Sequence, residues 1–227
     1  MYWEEGTDQE RFRVPDDVVD VVFGIACRCL PVDHAHALRV ALTGALPWLS
    51  EEPQAGVHPI HVADSGNGWM RPAAADALLY PSRRTRLVLR LPQHRIQDAS
   101  RLEGRTLVLG DHRLTVQTGT SRPLSAITTI FSRYVVADPA HDEDAFLRST
   151  AEALTARGIR PKKMLCGIAH RLRTPDGEVR TRSLMLADLS PEESVALQQT
   201  GLGPERLLGC GLFIPHKGIK EIGKPQD

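Results

Sequence analysis

Hydrophobic and polar positions in the first half of the chain alternate between strand and helix periods. The apolar, β-branched run "VVDVVFGIACRCL" at 18–30 predicts a buried strand. Apolar positions at helical spacing from Ala35 onward then predict a helix, with Asp33 as its N-cap. The rest of this half predicts strands at 57–64 and 85–91, a short helix at 92–102, and two strands within 105–116. The predicted order is therefore strand, helix, strand, strand, helix, strand.

The same order follows again after a polar link predicted at 117–129. The second set comprises a strand at 131–138, a helix at 142–158, strands at 162–172 and 178–189, a helix at 190–202 and a strand at 207–214. Its last helix has Ser190 as N-cap, Pro191 at the first position and Glu193 at the capping-box position. The repeated βαββαβ order predicts an α+β protein of two tandem ferredoxin-like domains, at 1–120 and 121–227.

Composition limits the class of protein. With 227 residues, 41% of them hydrophobic, the chain is long and apolar enough for a core, which argues against global disorder. No apolar run approaches the roughly 20 residues of a membrane span, and the acidic N-terminus does not resemble a signal peptide. These features predict a cytoplasmic protein without a membrane partner.

Charge is balanced in total but uneven along the chain. The net charge of zero argues against a general polyanion binder. Basic residues nevertheless crowd 81–95 and 157–174. Two alternatives stay open for these stretches, which are a localised nucleic-acid surface and arginine-rich strand edges in solvent.

Motifs for metals and nucleotides are absent from the sequence. There is no H-E-x-x-H motif, no C-x-x-C pair and no G-x-x-x-x-G-K-[ST] loop, so we predict no metal site and no nucleotide cofactor. The four cysteines are predicted to be buried free thiols.

Histidine supplies the main candidates for chemistry. His34 and His36 point in nearly opposite directions from the first predicted helix. His34 borders the apolar stripe in the first turn, where the helix dipole disfavours an imidazolium, so it can serve as a neutral general base. The alternative is a capping or surface histidine. His61 precedes a glycine-containing loop and can reach a cleft.

A glycine-rich stretch, "GLGPERLLGCG" at 201–211, lies near the end of the chain. It follows a predicted helix and enters a predicted strand, which is the wrong order for a dinucleotide fingerprint. Backbone without Cβ atoms can press against a sugar-phosphate chain and offer N–H groups to phosphates. The alternative is a helix end at Gly201 and a strand bulge at Gly209 and Gly211.

Several stretches resemble a known family. "CLPVDHAHAL" (29–38), "HVADSGNGW" (61–69), "LSPEESVALQQTGLG" (189–203) and "GCGLFIPHKGI" (209–219) are similar to the CRISPR-associated endoribonucleases that cut precursor CRISPR RNA within its repeats. These belong to the repeat-associated RNA-processing (RAMP) superfamily, and the resemblance runs from about residue 18 to residue 220.

The resemblance implies a reaction and partners. It implies RNA cleavage without metal or cofactor, in which the RNA's own 2′-hydroxyl attacks and leaves 2′,3′-cyclic phosphate and 5′-hydroxyl ends. Partners would be CRISPR repeat RNA, the processed crRNA that the protein retains, and subunits of a CRISPR effector complex. Two alternatives remain, namely a non-catalytic RNA-binding subunit of such a complex and a ligand- or protein-interaction module on paired ferredoxin-like domains.

The resemblance also assigns site residues. His34 best matches the family's catalytic position, His36 is its rival, and His61 is a partner acid or positioning residue. RNA contacts are expected from Arg83, Arg84, Lys162, Lys163, Arg171, Gly201, Gly203, Arg206, Gly209, Gly211, His216 and Lys217, and Arg86 extends the first basic stripe.

Overall fold

Two antiparallel sheets, one from each half of the chain, form the framework, and the computed structural model describes residues 12–62 and 77–216. The first half comprises β1 (Val18–Cys27), β2 (Leu30–Pro31), α1 (Ala35–Ala45), β3 (Gly56–His58), β4 (Leu78–Leu79), β5 (Arg86–Pro92), α2 (Ile96–Ala99), β6 (Thr106–Leu109) and β7 (His112–Pro123). The second half comprises β8 (Ile130–Val136), α3 (Glu143–Thr155), β9 (Lys163–Thr174), β10 (Gly177–Ala187), α4 (Pro191–Thr200) and β11 (Ile214–Pro215).

Strand order identifies the architecture. The sheets run β3-β5-β1-β7-β6 and β11-β8-β10-β9. In both, the first and third strands of a βαββαβ unit lie at the centre, as in a ferredoxin-like domain. The predicted α+β fold of two tandem ferredoxin-like units is confirmed.

Each sheet carries its helices on one face. Val21 and Phe23 of β1 share a buried cluster with Leu38 and Leu42 of α1, so α1 covers one face of the first sheet. In the second half, Phe146 of α3 packs with the strands in a separate cluster. The predicted capping box of α4 is present. No helix in the described parts of the chain is long and apolar enough to cross a membrane.

Several predictions of local structure differ from the structure. The strand predicted from 57 is shorter, because β3 ends at His58, and the N-cap of α1 is His34 rather than the predicted Asp33. The polar link predicted at 117–129 is wrong for its first part, because β7 continues to Pro123 and pairs with β1 past a bulge. The first sheet thus extends three residues beyond the boundary predicted at 120. The strand predicted at 207–214 is also wrong, because Gly209 and Gly211 take positive φ values of 85° and 66°, and only Ile214–Pro215 pairs.

The cysteines are free thiols, as predicted, but not all are buried. Cys166 and Cys210 are buried, whereas Cys27 and Cys29 are half-buried. The prediction of burial is wrong for these two, which lie where β1 ends.

A buried arginine joins the two domains. Arg90 of β5 is 0% exposed. Its Nε and Nη2 donate to the Asp20 carboxylate at 2.8 and 3.1 Å, and its Nη1 donates to the carbonyl oxygens of Gln198 and Phe213 at 2.9 and 2.7 Å. The first pair of bonds lies within the first sheet, and the second pair reaches the other domain. All three guanidinium nitrogens are therefore occupied by this contact.

The glycine-rich stretch packs into the same domain contact. Gly201, Gly209 and Gly211 are buried. A Cβ on Gly209 would meet Pro59 and lie 3.0 Å from the Val57 carbonyl, and one on Gly211 would meet the Leu202 main chain. Packing therefore explains why these three lack side chains. Being buried, they do not offer backbone to a polynucleotide, and Gly203 is the exposed glycine of the stretch.

Replacing Arg90 tests the domain contact. Arg90→Ala leaves Asp20 as a buried charge without its guanidinium and removes the donors to two carbonyls, so we expect the free energy of unfolding to fall by about 3–5 kcal/mol. Urea denaturation followed by circular dichroism measures this. The control Arg84→Ala removes an exposed arginine and should change stability by less than about 0.5 kcal/mol. Equally small effects in both variants would contradict the role given to Arg90.

Replacing two glycines separates packing from backbone strain. Gly203 and Gly211 both have positive φ, 77° and 66°, so alanine is strained at either. Only at Gly211 would the new Cβ meet main chain, since nothing lies within 4 Å of one at Gly203. Gly211→Ala should therefore lower the free energy of unfolding by about 1–3 kcal/mol more than Gly203→Ala. Equal losses would show that backbone conformation alone selects these glycines.

Acid sensitivity follows from the groups around Arg90. Burial lowers the pKa of His58; the nearby Asp20 carboxylate opposes this effect, and the Arg90 charge reinforces it. Burial alone would raise the pKa of Asp20, but the Arg90 guanidinium, with His58, lowers it well below its usual range.

The direction of the pH effect follows from the His58 shift. The unfolded chain protonates His58 near its ordinary pKa of about 6.5, whereas the folded protein resists protonation. The stability that neutral His58 contributes is thus present above about pH 6.5 and is lost as the pH falls below it. We expect the melting temperature to drop less between pH 7.5 and 5.0 in His58→Gln than in the native protein. Identical drops would contradict this role, since Asp20 and His34 are common to both proteins.

Candidate active site

The start of α1 meets the second domain on the open face of its sheet. Ala35, in the first turn of α1, packs in one buried cluster with Tyr134 of β8 and Leu172 of β9. The Asp33 carboxylate accepts a hydrogen bond from the Arg173 main-chain N–H at 3.2 Å. The start of α1 therefore lies at the boundary between the domains, where both halves of the chain contribute side chains.

A double bulge determines which residues of the second sheet face α1. Arg182 pairs with Val135 and Ala169, while Leu184 pairs with Ser132 and Cys166. Single residue 183 of β10 thus lies opposite two residues on each neighbour, 133–134 and 167–168. An extra residue reverses the alternation of side chains along a strand. Tyr134 consequently packs towards α1, while the adjacent Val135 packs in the second domain's own core.

His34 lies inside this boundary and is fully engaged. Its side chain is buried, its Nδ1 lies 2.8 Å from the Pro31 carbonyl oxygen, and its Nε2 accepts from the Ile60 main-chain N–H at 3.0 Å. A nitrogen that accepts from an N–H carries no proton, so Nδ1 holds the proton and donates to Pro31. The imidazole is therefore neutral, and its hydrogen bond fixes the segment that leads into His61.

His61 and His170 both contact one tyrosine, Tyr134. The His61 ring stacks on Tyr134 with centroids 6.5 Å apart and an interplanar angle of 30°. The His170 ring meets Tyr134 edge-on at 5.3 Å and 77°. His61 is exposed and His170 is half-buried. Two imidazoles are thus held beside a buried phenol at the domain boundary.

The sequence singled out His61 but missed Tyr134 and His170. Both lie on predicted strands, but the bulge opposite Ser183 decides which way each side chain points. Nothing in the linear pattern marks that bulge except Gly167, whose Cβ would collide with the Ser183 hydroxyl. A glycine inside a strand is the signal that indicates such a site.

His36 differs from His34 in its hydrogen bonding. It is half-buried, and its Nδ1 is enclosed without a hydrogen-bond partner among the described residues. An enclosed, unsatisfied imidazole nitrogen is unusual in a folded protein. The prediction of a role for His36 stays a prediction that this feature favours.

Arg206, predicted to bind RNA, instead binds protein. Its Nε donates to the Ala55 carbonyl oxygen at 3.1 Å, and its Nη2 donates to those of Gln54 and Gln199 at 2.8 and 3.1 Å. Burial, with the charges of Arg90 and Arg157, lowers the pKa of Arg206 to about 10. This side chain therefore links the glycine-rich stretch to the first domain.

The basic side chains among the other predicted RNA contacts are exposed in the described residues. Arg83, Arg84, Lys162, Lys163 and Arg171 are exposed, Lys163 pairs with Asp188 at 3.3 Å, and Arg171 pairs with Glu178 at 3.2 Å. The His216 ring lies 6.0 Å from that of Phe131. Lys217 and the glycine loop after His61 lie outside the described residues. Across residues 12–62 and 77–216, no group of three or more metal-ligating side chains is assembled.

Comparison with known proteins identifies the family of the chain. A family model described as "Cas6 Crispr" matches residues 19–218. The CRISPR-associated endonuclease Cas6 of Myxococcus xanthus (strain DK1622) is 30% identical over 197 residues, which make up 87% of this chain and 81% of that protein.

Two solved structures agree in fold. A CRISPR associated protein Cas6 superposes with a TM-score of 0.61 at 10% identity, covering 88% of this chain and 100% of the other. A RAMP protein described as binding different RNA substrates superposes with a TM-score of 0.58 at 13% identity, covering 88% and 100%. These structures establish the fold, and the family model and the curated relative establish the family. The chain belongs to the Cas6 family of CRISPR-associated proteins.

Proposed function

We propose that the protein is an endoribonuclease that cuts precursor CRISPR RNA within its repeats. The curated relative that matches most of its length is named an endonuclease, and a structural neighbour is described as binding RNA. The observation that carries the proposal is the pair of imidazoles, His61 and His170, placed beside Tyr134 where the two domains meet. General acid–base chemistry needs two such groups at one site.

The reaction uses the RNA as its own nucleophile. The 2′-oxygen attacks the adjacent phosphorus, the bond from phosphorus to the 5′-oxygen breaks, and the products carry a 2′,3′-cyclic phosphate and a 5′-hydroxyl. One protein group takes the proton of the 2′-hydroxyl, and another gives a proton to the leaving 5′-oxygen. Imidazole fills both roles near neutral pH.

We assign these roles from exposure and hydrogen bonding. His61 is exposed and His170 is half-buried, so both can meet a phosphate at the domain boundary. His34 is a positioning residue, because its Nε2 accepts the Ile60 N–H and thereby orients the next residue, His61. His36, which the resemblance gave as the rival of His34 for the catalytic position, is here the alternative to His170 as the second proton carrier. The reaction proceeds without metal, and the product is retained for subunits of a CRISPR effector complex.

Alanine variants test the assignment. His61→Ala and His170→Ala should each lower kcat for cleavage of repeat RNA by about 10²–10⁴-fold while leaving the Kd for RNA nearly unchanged. The matched control is His94→Ala, whose side chain is 67% exposed and lies beside Glu52; it should cut at the native rate. Full activity in both variants, with loss in His36→Ala, would transfer the role to His36.

His34 needs a separate readout because it is buried. His34→Ala should lower the melting temperature and slow cleavage, yet leave the apparent pKa values of the pH–rate profile in place. A profile that loses one limb would instead make His34 a proton carrier.

The chemistry is tested with the native protein. Cleavage should continue in EDTA, should stop with a single 2′-deoxynucleotide at the cut position, and should give a cyclic phosphate by mass spectrometry. Tight RNA binding with no cleavage would support a non-catalytic subunit instead. If the protein shows no salt-sensitive binding to RNA, that result would support an interaction module instead.

A further inference from the structure

A polar cavity lies on the first sheet, on the face opposite α1. Its volume is about 800 Å³. Val21 and Phe23 of β1 pack against α1, so the alternating residues Val22 and Gly24 point to the other face, where they form part of the cavity wall. The cavity shares no residue with the cluster of His61, Tyr134 and His170, which we call the histidine cluster. It therefore needs its own explanation.

The cavity continues the face on which the domains are joined. Asp20 lies two residues before Val22 on the same face of β1 and holds Arg90 under the second domain. All residues lining the cavity belong to the first domain. The second domain thus covers one end of this sheet face and leaves the other end open.

The lining combines two cations and one carboxylate, Glu103, with neutral polar groups. The Glu103 Oε1 accepts a hydrogen bond from the Gly119 main-chain N–H at 2.9 Å. Arg83 and Arg86 stand at one side, and Gln117, Thr118 and Thr120 of β7 stand at the other. Both arginines are exposed, and no carboxylate pairs with either among the described residues. Arg86 is anchored, because its Nη1 donates to the carbonyl oxygens of Arg83 and Thr85 at 2.7 and 2.9 Å. The positive charge is thus available to a ligand.

Gly24 shapes the floor of the cavity. Its φ is not in the left-handed region, so backbone conformation does not require glycine here. A Cβ would instead lie 2.7 Å from the Gln117 Oε1. The missing side chain therefore makes room for the Gln117 amide against the floor of the cavity, where it can meet a ligand.

The size and chemistry favour one kind of occupant. Guanidinium groups bind phosphate oxygens, and an amide with neighbouring hydroxyls can bond a base edge or a ribose. Cavities of roughly 300–1,000 Å³ hold small ligands, so this one suits a nucleotide or two and is too small for a duplex. None of the lining residues is aromatic, so hydrogen bonds rather than stacking would hold the base.

We propose that this cavity binds a single-stranded nucleotide of the RNA substrate away from the cut, with its phosphate at Arg83 and Arg86 and its base edge or ribose at Gln117. The proposal rests on the proposed RNA-processing function. It gives Arg83, one of the expected RNA contacts, a place away from the cut, whereas Arg84 does not line the cavity.

Binding measurements test the cavity directly. The double variant Arg83→Ala/Arg86→Ala should raise the Kd for repeat RNA about tenfold or more and reduce the slope of log K against log salt by about 0.7, the contribution of the one single-strand phosphate that the two arginines share. The uncharged variant Gln117→Ala should raise Kd with no change in slope. Arg148→Ala removes an exposed arginine of α3 that does not line the cavity, so it is the matched control and should bind as the native protein does.

The outcomes separate the cavity from the active site. Cleavage at saturating RNA should keep its native kcat in the cavity variants, whereas the histidine variants lose kcat. The cavity proposal would be overturned if the native protein cuts RNA and both the double variant and Gln117→Ala bind it with native affinity. That result would leave the proposed function standing. A native protein that neither binds nor cuts repeat RNA would overturn both.

Discussion

The buried guanidinium of Arg90 is the contact on which the arrangement of the two domains depends. A charge with no exposure to water is tolerated only when its partners satisfy it, and here a carboxylate of one domain and two carbonyls of the other do so. Because those partners sit at fixed points on β1, α4 and the segment before β11, the guanidinium fixes the domains relative to each other. Every feature at their boundary, including the histidine cluster, depends on that relation.

The contact between the domains is built from local irregularities of the main chain, namely closely packed glycines in the last segment and a bulge in the second sheet. Gly209 allows the main chain of the last segment to approach the first domain closely, and Gly211 allows it to approach the Leu202 main chain. Arg206 donates hydrogen bonds to the carbonyl oxygens of Gln54 and Ala55 in the first domain. On the other side, the bulge opposite Ser183 turns Tyr134 towards α1. A regular sheet would have placed this side chain in the second domain's own core, and the boundary would lack its aromatic ring.

The histidines near α1 have different environments. His34, the residue that sequence resemblance favoured as catalytic, uses both ring nitrogens to hold main chain. His61, which follows the held segment, is the exposed one. The open face of the first sheet carries basic and amide groups of its own, at a distance from that cluster along the fold. We therefore propose that proton transfer and the binding of RNA away from the cut occur at separate parts of the molecule.

The sequence by itself determined the elements, because helix and strand periods, the capping box at Ser190 and the order βαββαβ are local patterns that repeat in both halves. It also made histidines in and after α1 the candidates for catalysis, which stays a prediction. It did not reveal that the glycine-rich stretch packs inward, since a glycine that meets RNA and one that meets Pro59 look the same in sequence. Only the tertiary structure decided which histidines lie beside the same tyrosine. His61 and His170 lie more than a hundred residues apart in sequence, and their common neighbour Tyr134 reaches them through a bulge whose position depends on the pairing of three strands.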